Sequence, residues 1–266
     1  MGQNSMQDSA NNSSSKDIVR QFITLAAVVL AFIVNVLSNI FPINGLTIGG
    51  VSNTLFKDVL IVPANYAFAI WGLIYLGLFA LAIYQVLPSQ RENPKLRRIG
   101  YLLTIASVAQ SVWVYLFLSR YFAASVIAML WILIPLIIIY LRLRIGITSA
   151  SRGEKWFIRY PIGIYLGWIS VATIVNIASA LYINNWNGFG ISAENWTAIM
   201  VIIATFIATL SLAQRQDITY SGVTAWALIA IAVKHWENLH LKIVALSGVF
   251  LLIAIGLFSK FKGKRF

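Results

Sequence analysis

Apolar residues fall in long blocks separated by short polar connections. At ~1.5 Å per residue, about 20 apolar residues cross the ~30 Å hydrocarbon core of a bilayer. Eight blocks approach or exceed that length, near residues 20–41, 64–86, 99–118, 121–141, 160–183, 195–213, 218–234 and 241–259. The seventh is the shortest and ends at Lys234 and His235. The pattern predicts an all-α, polytopic membrane helix bundle with eight transmembrane helices. The polar segment 1–19, with its NNSSS run, is expected to be a disordered tail. Residues 261–266 are expected to form a basic cytoplasmic tail, most of which lies outside the residues described below.

Composition sharpens the picture. Hydrophobic residues make up 59% of the chain and charged residues 11%, against roughly 25% charged in soluble domains. If the N-terminus is cytoplasmic, only Lys57, Arg120, Lys234 and Lys242, out of 20 basic residues, fall outside. The positive-inside rule therefore predicts both termini inside, which needs an even number of spans. The net charge of +12 lies along one membrane face. There it attracts anionic lipid, and no nucleic-acid partner is expected. The absence of cysteine excludes disulfides and thiolate chemistry. The expected location is an integral, multi-pass protein of a bacterial inner (plasma) membrane.

The spans are poor in chemistry. No Asp, Glu, Lys or Arg lies in the middle of any of them, which argues against an ion-coupled pump or channel. His235, Glu237 and His240 invite a metal reading, but His235 and His240 diverge by about 140° on a helix. A polar interfacial turn is the expectation, with no metal site and no catalytic residues. The polar residues at depth are Asn35, Ser38, Asn39, Gln110, Ser111, Ser170, Thr173, Asn176 and Ser179. They are expected to make hydrogen bonds between helices. Gly163 and Gly167 form a small-xxx-small pair, the pattern of close helix packing.

Helical periodicity then aligns the aromatics. Phe68, Trp71 and Tyr75 share one face of the second span, as do Gln110, Trp113 and Phe117 in the third. Tyr165, Trp168, Ala172 and Asn176 share an arc of the fifth. Trp71, Trp113 and Asn176 lie roughly 9–12 Å from the same membrane surface at ~1.5 Å per residue. Converging stripes would make an aromatic cavity in the outer half of the bundle, floored by Trp168 and covered by the loop 41–62. Periodicity alone favours a packed aromatic core over a hollow one.

These residues resemble the TspO/MBR family of tryptophan-rich sensory and translocator proteins. Pro63, Tyr66, Phe68, Trp71 and Tyr75 resemble the motif opening that family's second helix, with Ala64 and Tyr66 replacing a Pro and a Trp. Gln110-x-x-Trp113 is similar to its Asn-x-x-Trp in the third. Tyr165, Trp168, Ala172 and Asn176 match the fifth-helix pattern at its spacing. The resemblance covers about residues 18–184. It implies a five-helix core over 20–184, with three additional helices over 185–260. It also implies a homodimer and a pocket for a flat lipophile such as a porphyrin, haem or sterol. No cofactor is obligatory on this reading. Trp71, Trp113 and Trp168 would supply stacking surface, with Tyr75 beside them. Asn176 and Gln110 would orient the ligand, Ala172 would leave room, and Tyr66 and Phe68 would form the mouth. The alternative function is facilitated transport of a small neutral or lipophilic solute.

Overall fold

A computed structural model describes residues 2–262, with side chains over 15–259. Every described element is helical. In chain order the helices are α1 (Gly2–Ile40), α2 (Ile48–Thr54), α3 (Ile70–Val86), α4 (Pro94–Ile99), α5 (Leu102–Leu118) and α6 (Phe122–Arg142). They continue with α7 (Arg152–Glu154), α8 (Tyr160–Ile183), α9 (Ala193–Arg215), α10 (Ile218–Lys234) and α11 (Leu239–Lys262). A 3-10 turn, Asn65–Ala69, leads into α3, and a π-helical turn, Lys155–Arg159, joins α7 to α8.

All eight apolar blocks are helices. Six described stretches are long and apolar enough to cross a membrane, while α5 and α10 are apolar helices of 17 residues. At ~1.5 Å per residue those two are ~26 Å long, a little short of the hydrocarbon core. The chain is thus a polytopic helical bundle.

The N-terminal boundary differs from the expectation. α1 runs unbroken from Gly2, so residue 19 does not separate a tail from a helix. Asp17 is buried and holds the Arg20 guanidinium at 3.1 Å and that of Arg97 at 2.5 Å. Arg20 also donates to the Leu96 carbonyl at 3.0 Å. Composition reads this segment as polar and solvated, but a polar residue paired across helices is part of the packed structure. A second buried cluster lies on the loops at the end expected to face the cytoplasm. Arg159 pairs with Glu154 at 2.7 Å and donates to Thr148 and Ser149, and Lys95 closes on Glu154.

The first five apolar helices pack with α5 on α6 and α1, α6 on α8, and α3 on α1 and α8. α9, α10 and α11 pack on one another, and α10 attaches this trio to α8. The two glycines set that contact. A Cβ at Gly163 would fall 2.1 Å from Thr219 Oγ1, and one at Gly167 would fall 3.0 Å from the Tyr220 carbonyl. Helices approach this closely only where a side chain is missing.

The hydroxyls at depth behave differently from the expectation. Ser111, Ser170, Thr173 and Ser179 each donate to the carbonyl four residues earlier in their own helix. Ser38 and Asn39 both donate to the Asn35 carbonyl. A short side chain satisfies itself locally when no neighbouring helix offers a better acceptor. Asn176 and Gln110 reach other helices, and Ser170 also meets the Tyr220 hydroxyl of α10.

Candidate functional site

Three tryptophans from three helices face one space. Trp71 comes from α3, Trp113 from α5 and Trp168 from α8, and all three are buried. With Phe68, Ala172 and Asn176 they line a single cavity. Phe117, Val171 and Val175 complete its walls from α5 and α8. Pro63 and two residues of α2, Ile48 and Ser52, close the top. The loop 41–62 therefore covers the cavity, as its length suggested.

Edge-to-face and tilted ring contacts build the walls. Phe68 meets Trp168 at 5.9 Å between centroids with an 82° interplanar angle. Trp113 stacks on Phe117 at 5.1 Å, and Trp71 lies 6.3 Å from Tyr165. Such pairs each add about 0.5–1.5 kcal/mol beyond buried area, so the walls are mutually braced. Phe56, fully buried, reaches down from the covering loop and meets Phe122 at 4.8 Å. It anchors the loop to the bundle. An isolated ring in a mixed loop carries no periodic signal in the sequence.

Asn176 is the polar centre of the cavity. Its Oδ1 accepts from the Trp113 indole N–H at 2.8 Å, and its Nδ2 donates to Ser125 Oγ at 2.9 Å. Ser125 in turn donates to the Phe122 carbonyl at 2.7 Å. One amide thus ties α5, α6 and α8 together. Ser125 sits in a stretch of small and apolar residues, and nothing in its spacing marks it. The Trp71 and Trp168 indole N–H groups make no hydrogen bond to another described residue.

The other expected residues stand outside the cavity. Tyr75 donates its hydroxyl to the Ala31 carbonyl of α1 at 3.0 Å, and its ring lies against Phe32 and Trp71. Gln110 is buried behind Trp113, where its Oε1 accepts from Tyr165 at 3.5 Å and its Nε2 has no partner. Tyr66 is 40% exposed and sets its ring edge on Trp226 of α10. The Trp226 indole donates to the Ala67 carbonyl at 3.2 Å, and His235 meets the Leu60 carbonyl at 2.8 Å. The later helices therefore brace the turn and loop that roof the cavity.

The space itself is small. Its volume is about 30 Å³, room for one or two waters. Pockets for drug-sized molecules run from ~300 Å³ upward. The aromatic faces are assembled but nearly in contact, so a large guest requires the roof to move. The roof helix α2 is seven residues long, capped by Thr47 and joined to the bundle through loops.

A family model described as TSPO-like protein matches residues 21–258. It runs well beyond residue 184, through α9 and α10 and into α11. No match is found among curated proteins or among solved structures.

Proposed function

The chain belongs to the TSPO-like family and is an integral, multi-pass membrane protein; on that premise we propose that it binds a flat hydrophobic ligand of the porphyrin or haem class and acts as its membrane receptor or sensor. The observation carrying this reading is the convergence of Trp71, Trp113 and Trp168 on one cavity with Phe68, Ala172 and Asn176. Indole faces suit a flat conjugated ring by offset stacking. The unpaired indole N–H groups of Trp71 and Trp168 offer donors to a ligand's polar edge. Ala172 keeps one wall low where a larger side chain would close it.

Binding on this reading is coupled to opening. The guest separates rings now in contact and lifts α2, while Phe56 keeps the loop attached to the bundle. Gain of stacking surface offsets the loss of ring-to-ring contact. No step requires covalent chemistry, and the role is one of binding rather than catalysis.

The test is a protoporphyrin titration of the purified full chain, followed by tryptophan quenching. Saturable quenching is expected, weakened in Trp168→Phe and in Ala172→Leu. Quenching that never saturates, or is unaltered in both variants, overturns the reading.

A further inference from the structure

α9 stands off the core. It packs along α10 and α11 and meets α8 only lightly. Two clefts open along this seam. One, of about 410 Å³, is lined near the end of α8 by Leu181, Tyr182, Trp186 and Trp196. The other, of about 440 Å³, is lined by Ile137 of α6, Ser170 of α8, and Ile207, Ser211 and Arg215 of α9. Ile174 and Met200 line both, so the clefts adjoin. Between Met200 and Arg215 the second cleft follows α9 for ~22 Å, at ~1.5 Å per residue. One leaflet's share of the hydrocarbon core is only ~15 Å. An acyl chain can lie along this groove at full depth.

The groove is apolar along its shaft and cationic at one end. There the Tyr140 hydroxyl meets Ser211 Oγ at 3.0 Å, bridging α6 to α9. The Arg215 guanidinium lies over the Tyr140 ring at 5.2 Å and donates once, to the Ile145 carbonyl at 3.3 Å. The backbone behind it is held closely. Gly146 has φ +79°, and a Cβ there would fall 1.7 Å from the Arg215 carbonyl. No described carboxylate lies within 4.0 Å of Arg215. Asp217, two residues on, is buried; its Oδ1 accepts from Thr219 and Tyr220 at the N-terminus of α10, and its Oδ2, on the Tyr140 side, makes no ion pair with Arg215. Arg215 thus keeps most of its five donors for another partner. A planar guanidinium at the foot of an apolar groove fits a phosphate oxyanion joined to a hydrocarbon chain.

We propose that the groove between α6, α8 and α9 is a binding site for an anionic phospholipid, one acyl chain lying along α9 and the phosphate held by Arg215. This occupant fills the space that α9 leaves beside α8. Val171 lines both this groove and the aromatic cavity, but the lipid site does not depend on what the cavity binds.

Native mass spectrometry of the full chain, released from micelles carrying equal phosphatidylglycerol and phosphatidylcholine, tests the proposal. Wild type is expected to retain phosphatidylglycerol several-fold over phosphatidylcholine. Arg215→Ala should lose that preference, while Arg152→Ala, a basic residue outside the groove, keeps it. Ile207→Trp fills the shaft, leaves Arg215 in place, and should lower retention of both lipids. Equal retention by wild type overturns the site. So does a preference that survives Arg215→Ala, or one lost equally in Arg152→Ala.

Discussion

The Trp113 indole N–H donates to Oδ1 of Asn176 across 2.8 Å, joining α5 to α8 in the wall of the aromatic cavity. Asn176→Leu strands this N–H and also frees Ser125. A buried polar group left unpaired costs about 1–3 kcal/mol. The variant should therefore melt earlier in detergent, and Trp113→Phe in the same background should cost less than it does alone. Strictly additive effects in that double-mutant cycle would contradict the coupling.

Roof movement can be blocked. A Cβ at Gly49 of α2 would fall 2.5 Å from Asn65 Oδ1 and 3.6 Å from Asn65 Cγ in the turn before α3; a cysteine at 65 puts its sulfur in place of Cγ, close enough to the Gly49 Cβ position for a disulfide between substituted cysteines. The chain has no native cysteine to compete. Gly49→Cys with Asn65→Cys, oxidised, should abolish porphyrin quenching, and reduction should restore it. Equal binding in both redox states would show that the guest enters without lifting α2.

The α8–α10 contact depends on absent side chains. Gly167→Leu places atoms against the Tyr220 backbone and the Val223 side chain. Overpacking of this kind costs typically 1–3 kcal/mol and can cost more. Gly72 of α3 has nothing within 4 Å of its Cβ position, so Gly72→Ala should be neutral or slightly stabilising by helix propensity. Thermal unfolding of the two variants in one detergent compares them directly. Similar behaviour of both would mean that the close approach carries little of the stability.

His235 adds a pH dependence at the roof. Burial pushes its imidazole below the ordinary histidine value, Lys234 acts in the same direction, and the Leu60 carbonyl opposes them. The folded state thus prefers the neutral ring donating Nε2–H to Leu60. For a base depressed on folding, this contribution is complete above the unfolded value near 6.5. It declines as pH falls through that value toward the lower folded one. Wild type should lose more thermal stability between pH 7.5 and pH 5.5 than His235→Gln, which keeps a donor but cannot titrate. Parallel losses would remove His235 from the account.

Sequence pattern determined the helices and their facing. Each of the eight apolar blocks is a helix because backbone groups in hydrocarbon must satisfy themselves locally. The turn of 100° per residue placed Trp71, Trp113, Trp168, Ala172 and Asn176 toward a common interior. Gly163 and Gly167 marked a close approach without saying which helix would use it. Only the tertiary structure decided the distances. It brought Trp113 within hydrogen-bonding range of Asn176, set Tyr75 and Gln110 behind the cavity, and drew the rings together until about 30 Å³ remained. It also buried Asp17 between two arginines and stood α9 away from α8. Periodicity fixes the angle at which a residue leaves its helix, whereas the gap between helices depends on side chains that meet from parts of the chain far apart in sequence.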